Sequence, residues 1–186
     1  MVRAFSDEPV EADALERVLR TAQRGPSAGY SQGVEFVVVT GNGARHELAR
    51  LVTNRESATE AIARAPVHIA ICTSADIYKD RYREPDKVRV RGDTPDDVLW
   101  QIPFWHVDAG AAMMLILLAA VNEGLDAGFI GVWRQPEVKA HLQIPDSYTI
   151  TGIAMLGHRG TAEQAQGSVT SRRRRAAADV IHRERW

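Results

Sequence analysis

The residues of this chain whose types and spacing could do chemistry lie in a few places, and the most informative is RGPSAGYSQG, Arg24 to Gly33. Small residues, a proline and two serines make a tight segment there, expected to expose many backbone N–H groups. Ala28 and Gly29 keep side chains out of the way, so a flat polar ligand can lie close against the backbone. The same residues contain a formal G-x-S-x-G, Gly29-Tyr30-Ser31-Gln32-Gly33. A hydrolase nucleophile elbow needs a strand before its serine and a helix after it. Here a helix pattern (Leu15, Val18, Leu19, Ala22) comes first and a strand pattern (Val34, Phe36 to Val39) follows, so Ser31 does not read as a nucleophile.

Other candidates are weaker. The histidines His46, His68, His106, His141, His158 and His182 show no i,i+3 or i,i+4 pairing and no H-E-x-x-H, so zinc chemistry is not expected. Gly41 and Gly43 stand between a strand and a helix, but His46 occupies the third glycine position of a dinucleotide-binding turn. Arg172 to Arg175 lack the aromatic interleaving of a nucleic-acid reader. They read as a solvated tail or as guanidiniums holding a phosphate. Tyr78, Tyr82, Trp100, Phe104 and Trp105 cluster in one charged stretch. They either wall a planar ligand or pin that stretch to the body of the protein.

These residues need a frame. Periodicity and breakers predict helices over 10–23, 44–51, 57–64, 106–123 and 135–142, and strands over 34–40, 67–73, 127–132 and 150–156. Residues 76–104, with Pro85, Gly92, Pro95 and Pro103, read as a long excursion with at most short helical turns. Few, short strands alternating with helices favour an α+β sandwich in which a small sheet of about four strands is flanked by helices. No linker or repeat divides the 186 residues, so one domain spans 1–186.

Composition narrows the function classes. The chain is 45% hydrophobic with net charge -1, which gives no general attraction to nucleic acid or to an acidic membrane. Its one cysteine, Cys72, lies in the apolar run VHIAIC and reads as a core thiol, consistent with a reducing, cytoplasmic setting. The N-terminus lacks the apolar region of a signal peptide. The apolar run from Val107 to Val121 contains Asp108 and falls short of the roughly 20 residues of a membrane span. Apolar on nearly every face, it reads as a fully buried central helix, part of whose cover comes from a second subunit.

Taken in order, these pieces resemble the FMN-dependent nitroreductase family. The resemblance rests on Val2-Arg3-Ala4-Phe5 with Glu8-Pro9-Val10, then Gly25-Pro26-Ser27-Ala28-Gly29-Tyr30-Ser31-Gln32 with Phe36 to Val39. Ala65-Pro66-Val67, Asp108-Ala109-Gly110-Ala111-Ala112, Glu123-Gly124-Leu125 and Phe129-Ile130-Gly131 continue it. Ile144-Pro145, Gly157-His158, Arg172, Arg174, Val180-Ile181-His182 and Trp186 complete the series. It covers the chain apart from about 75–104, a variable excursion beside the active site.

The resemblance implies a nitroreductase-like sandwich with a mainly antiparallel sheet, paired into an intertwined homodimer with FMN at the interface. It also implies a C-terminal extension, 160–186, that packs on the partner. By position, Pro26, Ser27 and Ala28 would line the flavin with Tyr30 and Gln32 near it. Ile130 and Gly131 would face its N5 edge, Arg172 and Arg174 its phosphate, and Arg3 its N1–C2 carbonyl. Tyr30, Phe104 and Trp105 would meet the substrate. The implied activity is transfer of hydride from NAD(P)H to a small-molecule acceptor such as a nitroaromatic or quinone, by a ping-pong cycle in which the flavin carries the chemistry. The family also has one or two arginines, often with a serine, upstream of the Arg3 position, and often asparagine at Tyr30. The first departure leaves open a flavin-binding member without turnover, in a scavenging or regulatory role.

Overall fold

The computed structural model describes residues 1–160 and 172–186. Its centre is β2 (Val67–Thr73), buried at all seven positions. The alternation of its side chains builds two cores. Val67, Ile69 and Ile71 point to one side of the sheet, Ala70 and Cys72 to the other. β2 pairs antiparallel with β1 (Val34–Val39) and with β4 (Thr149–Gly157), and β4 pairs antiparallel with β3 (Asp126–Ile130). The order is β1-β2-β4-β3, so the last strand in sequence fills the gap between β2 and β3. The small antiparallel sheet expected from the sequence is what forms.

Helices cover both faces. α1 (Ala12–Gln23) and α7 (Phe104–Asn122) lie over Val67, Ile69 and Ile71, through Val18, Ala22, Ala109, Ile116 and Ala120. α2 (Asn42–Val52), α3 (Glu56–Ala63) and α8 (Gln135–Leu142) cover the other face, through Leu48, Ala49, Val52, Ile62, Ala63 and Val138. Cys72 is a buried free thiol, and burial pushes its pKa up to about 11. His68, also fully buried, shares a hydrogen bond of 2.9 Å between Nε2 and the Ile62 carbonyl. A carbonyl only accepts, so Nε2 carries the proton. Its Nδ1 has no partner, and burial holds the ring's pKa down at about 4.

Two expectations change. The stretch 76–104 folds into α4 (Ala75–Arg81), α5 (Pro85–Arg91) and α6 (Asp96–Leu99). Pro85, read as a breaker, occupies the first turn of α5, where a missing N–H costs nothing. Arg81 bridges the α4–α5 turn with a two-pronged ion pair to Asp86 at 2.7 and 2.8 Å. The second change concerns α7, which within one chain is not buried all round. Val107, Met114, Leu118 and Val121 form an outward stripe, 46% to 65% exposed. By length and composition the stretch Asp96–Asn122, which includes α7, would suit a membrane span, although the apolar run alone falls short of one. The inner face of α7, however, packs on α1 and the sheet.

Candidate functional site

The chain leaves α1 through a turn closed by Arg24 N–H on the Thr21 carbonyl and Gly25 N–H on the Ala22 carbonyl. The next residues wind into a single 3-10 turn, Ala28–Tyr30, with an unusual backbone. Tyr30 (φ +59°) and Gln32 (φ +52°) both sit in the left-handed region, which disfavours L side chains by roughly 1–2 kcal/mol each. The turn is held by its own polar groups. Tyr30 N–H donates to the Ser27 carbonyl (2.9 Å), Ser31 N–H to the Ala28 carbonyl (3.1 Å) and Gln32 N–H to Ser27 Oγ (3.0 Å). Ser31 Oγ donates to the Ala28 carbonyl at 2.6 Å, in a segment with a helix before it and a strand after it. That context rules out a nucleophile elbow.

Three elements grip this turn from outside. Asp108 of α7, buried, accepts at Oδ2 from Ala28 N–H (2.8 Å) and from the Tyr78 hydroxyl of α4 (2.8 Å). Thr73, ending β2, donates to the Gly33 carbonyl at 2.9 Å. Gly29 (φ +61°) lies so close to Tyr82 that a Cβ there would stand 2.5 Å from the ring, with Lys87 beside it. The sequence reading of the segment is therefore corrected in two respects. Six of its N–H groups, on Arg24, Gly25, Ala28, Tyr30, Ser31 and Gln32, are engaged within the protein. The small size of Gly29 serves the docking of α4 and α5. What faces outward is Pro26, Gln32 and Tyr30, the last 73% exposed.

The aromatic stretch explains that docking. Tyr82 meets Trp100 edge-on at 5.0 Å, Trp100 meets Trp105 at 5.6 Å, and Trp105 meets the fully buried Tyr78 at 6.2 Å. The cluster pins α4 and α6 to the start of α7. Trp105 is half-buried within it, whereas Phe104 keeps 37% of its surface exposed.

A second group of predicted residues lies at the end of β3. Opposite Ile71 and Cys72, β4 carries an extra residue, Thr151, at a bulge. The neighbouring Gly152 lets the Phe129 ring and the Ile130 carbonyl come closer than any Cβ would allow. Gln135, which sequence reasoning missed, fastens the strand that follows. Its Nε2 donates to the carbonyls of Ile150 (2.7 Å) and Val132 (3.2 Å), and its Oε1 accepts from Ile150 N–H (3.0 Å). A glutamine opening a helix just past a strand was the available signal. Gly131 has open space where a Cβ would stand. Arg3 is exposed beside the start of β3, because Val2 N–H donates to the Ala127 carbonyl at 2.9 Å. Arg172 and Arg174 are exposed and carry no ion pair among the described residues. The expected extension 160–186 lies partly outside the described residues.

Elsewhere, a cleft of about 530 Å³ opens between the N-terminal segment and α3, lined by Asp7, Glu60, Arg64 and Arg159 among others. Its charges are of both signs and all exposed, and it does not include the Pro26–Gln32 turn. Among the described residues no cluster of His, Cys, Asp or Glu is arranged to hold a metal.

Comparison with known proteins agrees with this frame. A protein of Archaeoglobus fulgidus provisionally named NADH dehydrogenase/NAD(P)H nitroreductase is 25% identical over all of this chain and 92% of its own. The crystal structure of a nitroreductase family protein from Streptococcus pneumoniae TIGR4 superposes with a TM-score of 0.72 at 25% identity, covering 97% of this chain and 94% of that one. An FMN-dependent nitroreductase from Clostridium difficile R20291 shares the fold, with a TM-score of 0.71 at 19% identity over 100% and 94% of the two chains. The family model for the nitroreductase family matches residues 1–158, which hold the whole sheet, the Pro26–Gln32 turn and the Ile130–Gly131 strand end. With more than half its length matched and the sheet order in place, the chain belongs to the nitroreductase family.

Proposed function

We propose that this oxidoreductase is a homodimeric, FMN-dependent enzyme that passes hydride from NAD(P)H to a small-molecule acceptor, a nitroaromatic or quinone, by a ping-pong cycle. The observation that carries the reading is the surface turn Ser27–Gln32, left-handed at two non-glycine residues and fixed from three elements, in a chain matched to the family over residues 1–158. So much structure around a surface turn suits a surface that must keep its shape for a ligand.

The residues fit FMN. Gly131 leaves room against the backbone at the end of β3, and Arg172 and Arg174, without an ion pair among the described residues, offer guanidiniums for a phosphate. Bound FMN would supply the hydride chemistry. The chain's own residues bind and tune. Pro26, Ser27 and Ala28 line the ring with Tyr30 and Gln32 at its margin, and Ile130 and Gly131 present backbone to it. Arg172 and Arg174 take the phosphate. Arg3 sets a fixed positive charge at the carbonyl edge where negative charge collects on reduction. Tyr30 and Phe104, both exposed, with Trp105 behind, meet the acceptor.

A homodimer supplies what one chain lacks. The exposed stripe on α7 is covered by its counterpart on a second copy, and the turn of one chain closes on the Arg3 and Gly131 side of its partner. The test is steady-state turnover of FMN-loaded protein with NADH or NADPH and a quinone or nitroaromatic. Parallel double-reciprocal lines are expected. FMN-loaded protein that oxidises neither nucleotide with any acceptor tried would favour a binding role without turnover.

A further inference from the structure

We propose that Asp108 is a positioning residue for FMN binding: from the buried side of α7, together with Tyr78 of α4, it fixes the Ser27–Ala28 backbone in the shape that receives the flavin. The inference rests on the reading that this turn lies against FMN.

Asp108 sits in a helix whose other inward residues are Ala109, Ala112, Ile116 and Ala120, and it is only 8% exposed. A carboxyl group at such a position is costly unless donors meet it, and an apolar side chain would pack the helix as well. Both of its donors belong to the site region. One is the backbone of Ala28, 80 residues earlier in the chain, and the other is the hydroxyl of Tyr78, 30 residues earlier, each at 2.8 Å from Oδ2.

Tyr78 is an unfailing donor. Burial first, and then the hydrogen bond to Asp108, push its phenol well above its ordinary range, so it stays protonated. Its ring also abuts Gly33, whose carbonyl Thr73 holds. The turn is thus held at Ala28 and at Gly33, on either side of the left-handed residues Gly29, Tyr30 and Gln32. With the Asp108 acceptor gone, Ala28 N–H would have no partner inside the protein. The turn would then relax toward ordinary backbone angles and present a different surface to the ring.

The test compares Asp108→Leu, Asp108→Asn and Tyr78→Phe with the wild type in the full chain. It reads hydrogen exchange of residues 25–33, the FMN dissociation constant, and circular dichroism as a check on folding. Asp108→Leu is expected to raise exchange in 25–33 about tenfold or more, leave β2 protected, and weaken FMN binding roughly ten- to a hundredfold. Asn keeps a carbonyl acceptor at the same place, so Asp108→Asn should restore both readings to within about threefold, with Tyr78→Phe between the two. A folded Asp108→Leu protein with wild-type exchange and wild-type FMN affinity overturns the proposal, as does an Asn variant as impaired as the Leu one. Should Asp108→Leu not fold, wild-type exchange and affinity in Tyr78→Phe, or severe impairment in Asp108→Asn, overturn it. Wild-type protein that takes up no FMN instead overturns the reading of function, and with it the flavin role of Asp108. A wild type that binds FMN beside an unaltered Leu variant overturns the Asp108 proposal alone.

Discussion

β2 and α7 are both strongly apolar, and they meet different fates. Every residue of β2 is buried, because it has a strand on each side and a helical layer on each face. α7 is as apolar, yet its outer stripe of Val107, Met114, Leu118 and Val121 stands in the open. Burial in β2 is completed by the chain's own fold. In α7 it is left for a second copy to complete, in the reading proposed above. On that reading, the contrast separates residues that make the protein stable from residues that would make it pair.

Substitutions can break that contrast. The largest effect is expected in the strand. Ile71→Ala, at a position fully buried beneath α7, should cost about 2–5 kcal/mol by chemical denaturation, measured with protein concentration held fixed. Leu118→Asp, 61% exposed in the single chain, should leave the circular dichroism spectrum unchanged while raising the dimer dissociation constant about a hundredfold or more. Sedimentation would show it, and a variant still fully dimeric would remove α7 from the interface.

The strand also carries a pH dependence that the helix stripe lacks. His68 on β2 titrates near 6.5 when unfolded but is held at about 4 in the fold by burial. Between those values the unfolded chain binds a proton that the folded chain refuses, so stability is full above about pH 6.5 and falls as pH drops toward 4. The loss over that window should reach about 2–3 kcal/mol, and His68→Gln should flatten it. An unchanged acid slope in the variant would contradict the assignment. The smallest effect is expected at the surface pair Arg17–Glu123, 2.8 Å apart between α1 and α7. Arg17→Ala should leave Tm unchanged within error, since exposed ion pairs contribute little.

The legibility of the sequence followed the same division. β2 was read at 67–73 and α8 at 135–142, the bounds the structure gives, because β-branched alternation and flanking prolines leave little choice. The α4–α6 region was not legible. Its helices are short and highly charged, and the proline that starts α5 looks the same in sequence as one that ends a helix. α7 was read as buried all round because apolarity records that a face is covered without recording by which chain. Of the candidate site, the turn at 26–32 and the Ile130–Gly131 strand end are the segments that the sequence singles out. The reason for the small residues was only partly visible, since nothing local shows that Gly29 faces Tyr82. The clamps Asp108 and Gln135 were missed as such. Each reaches a distant backbone group, and their only sequence trace is a lone acid in an apolar helix and a glutamine opening another.

Native mass spectrometry of the purified protein, after incubation with FMN, tests the central claim most directly. The account predicts a dimer carrying two FMN molecules, one for each chain. A monomer that carries no flavin would contradict it.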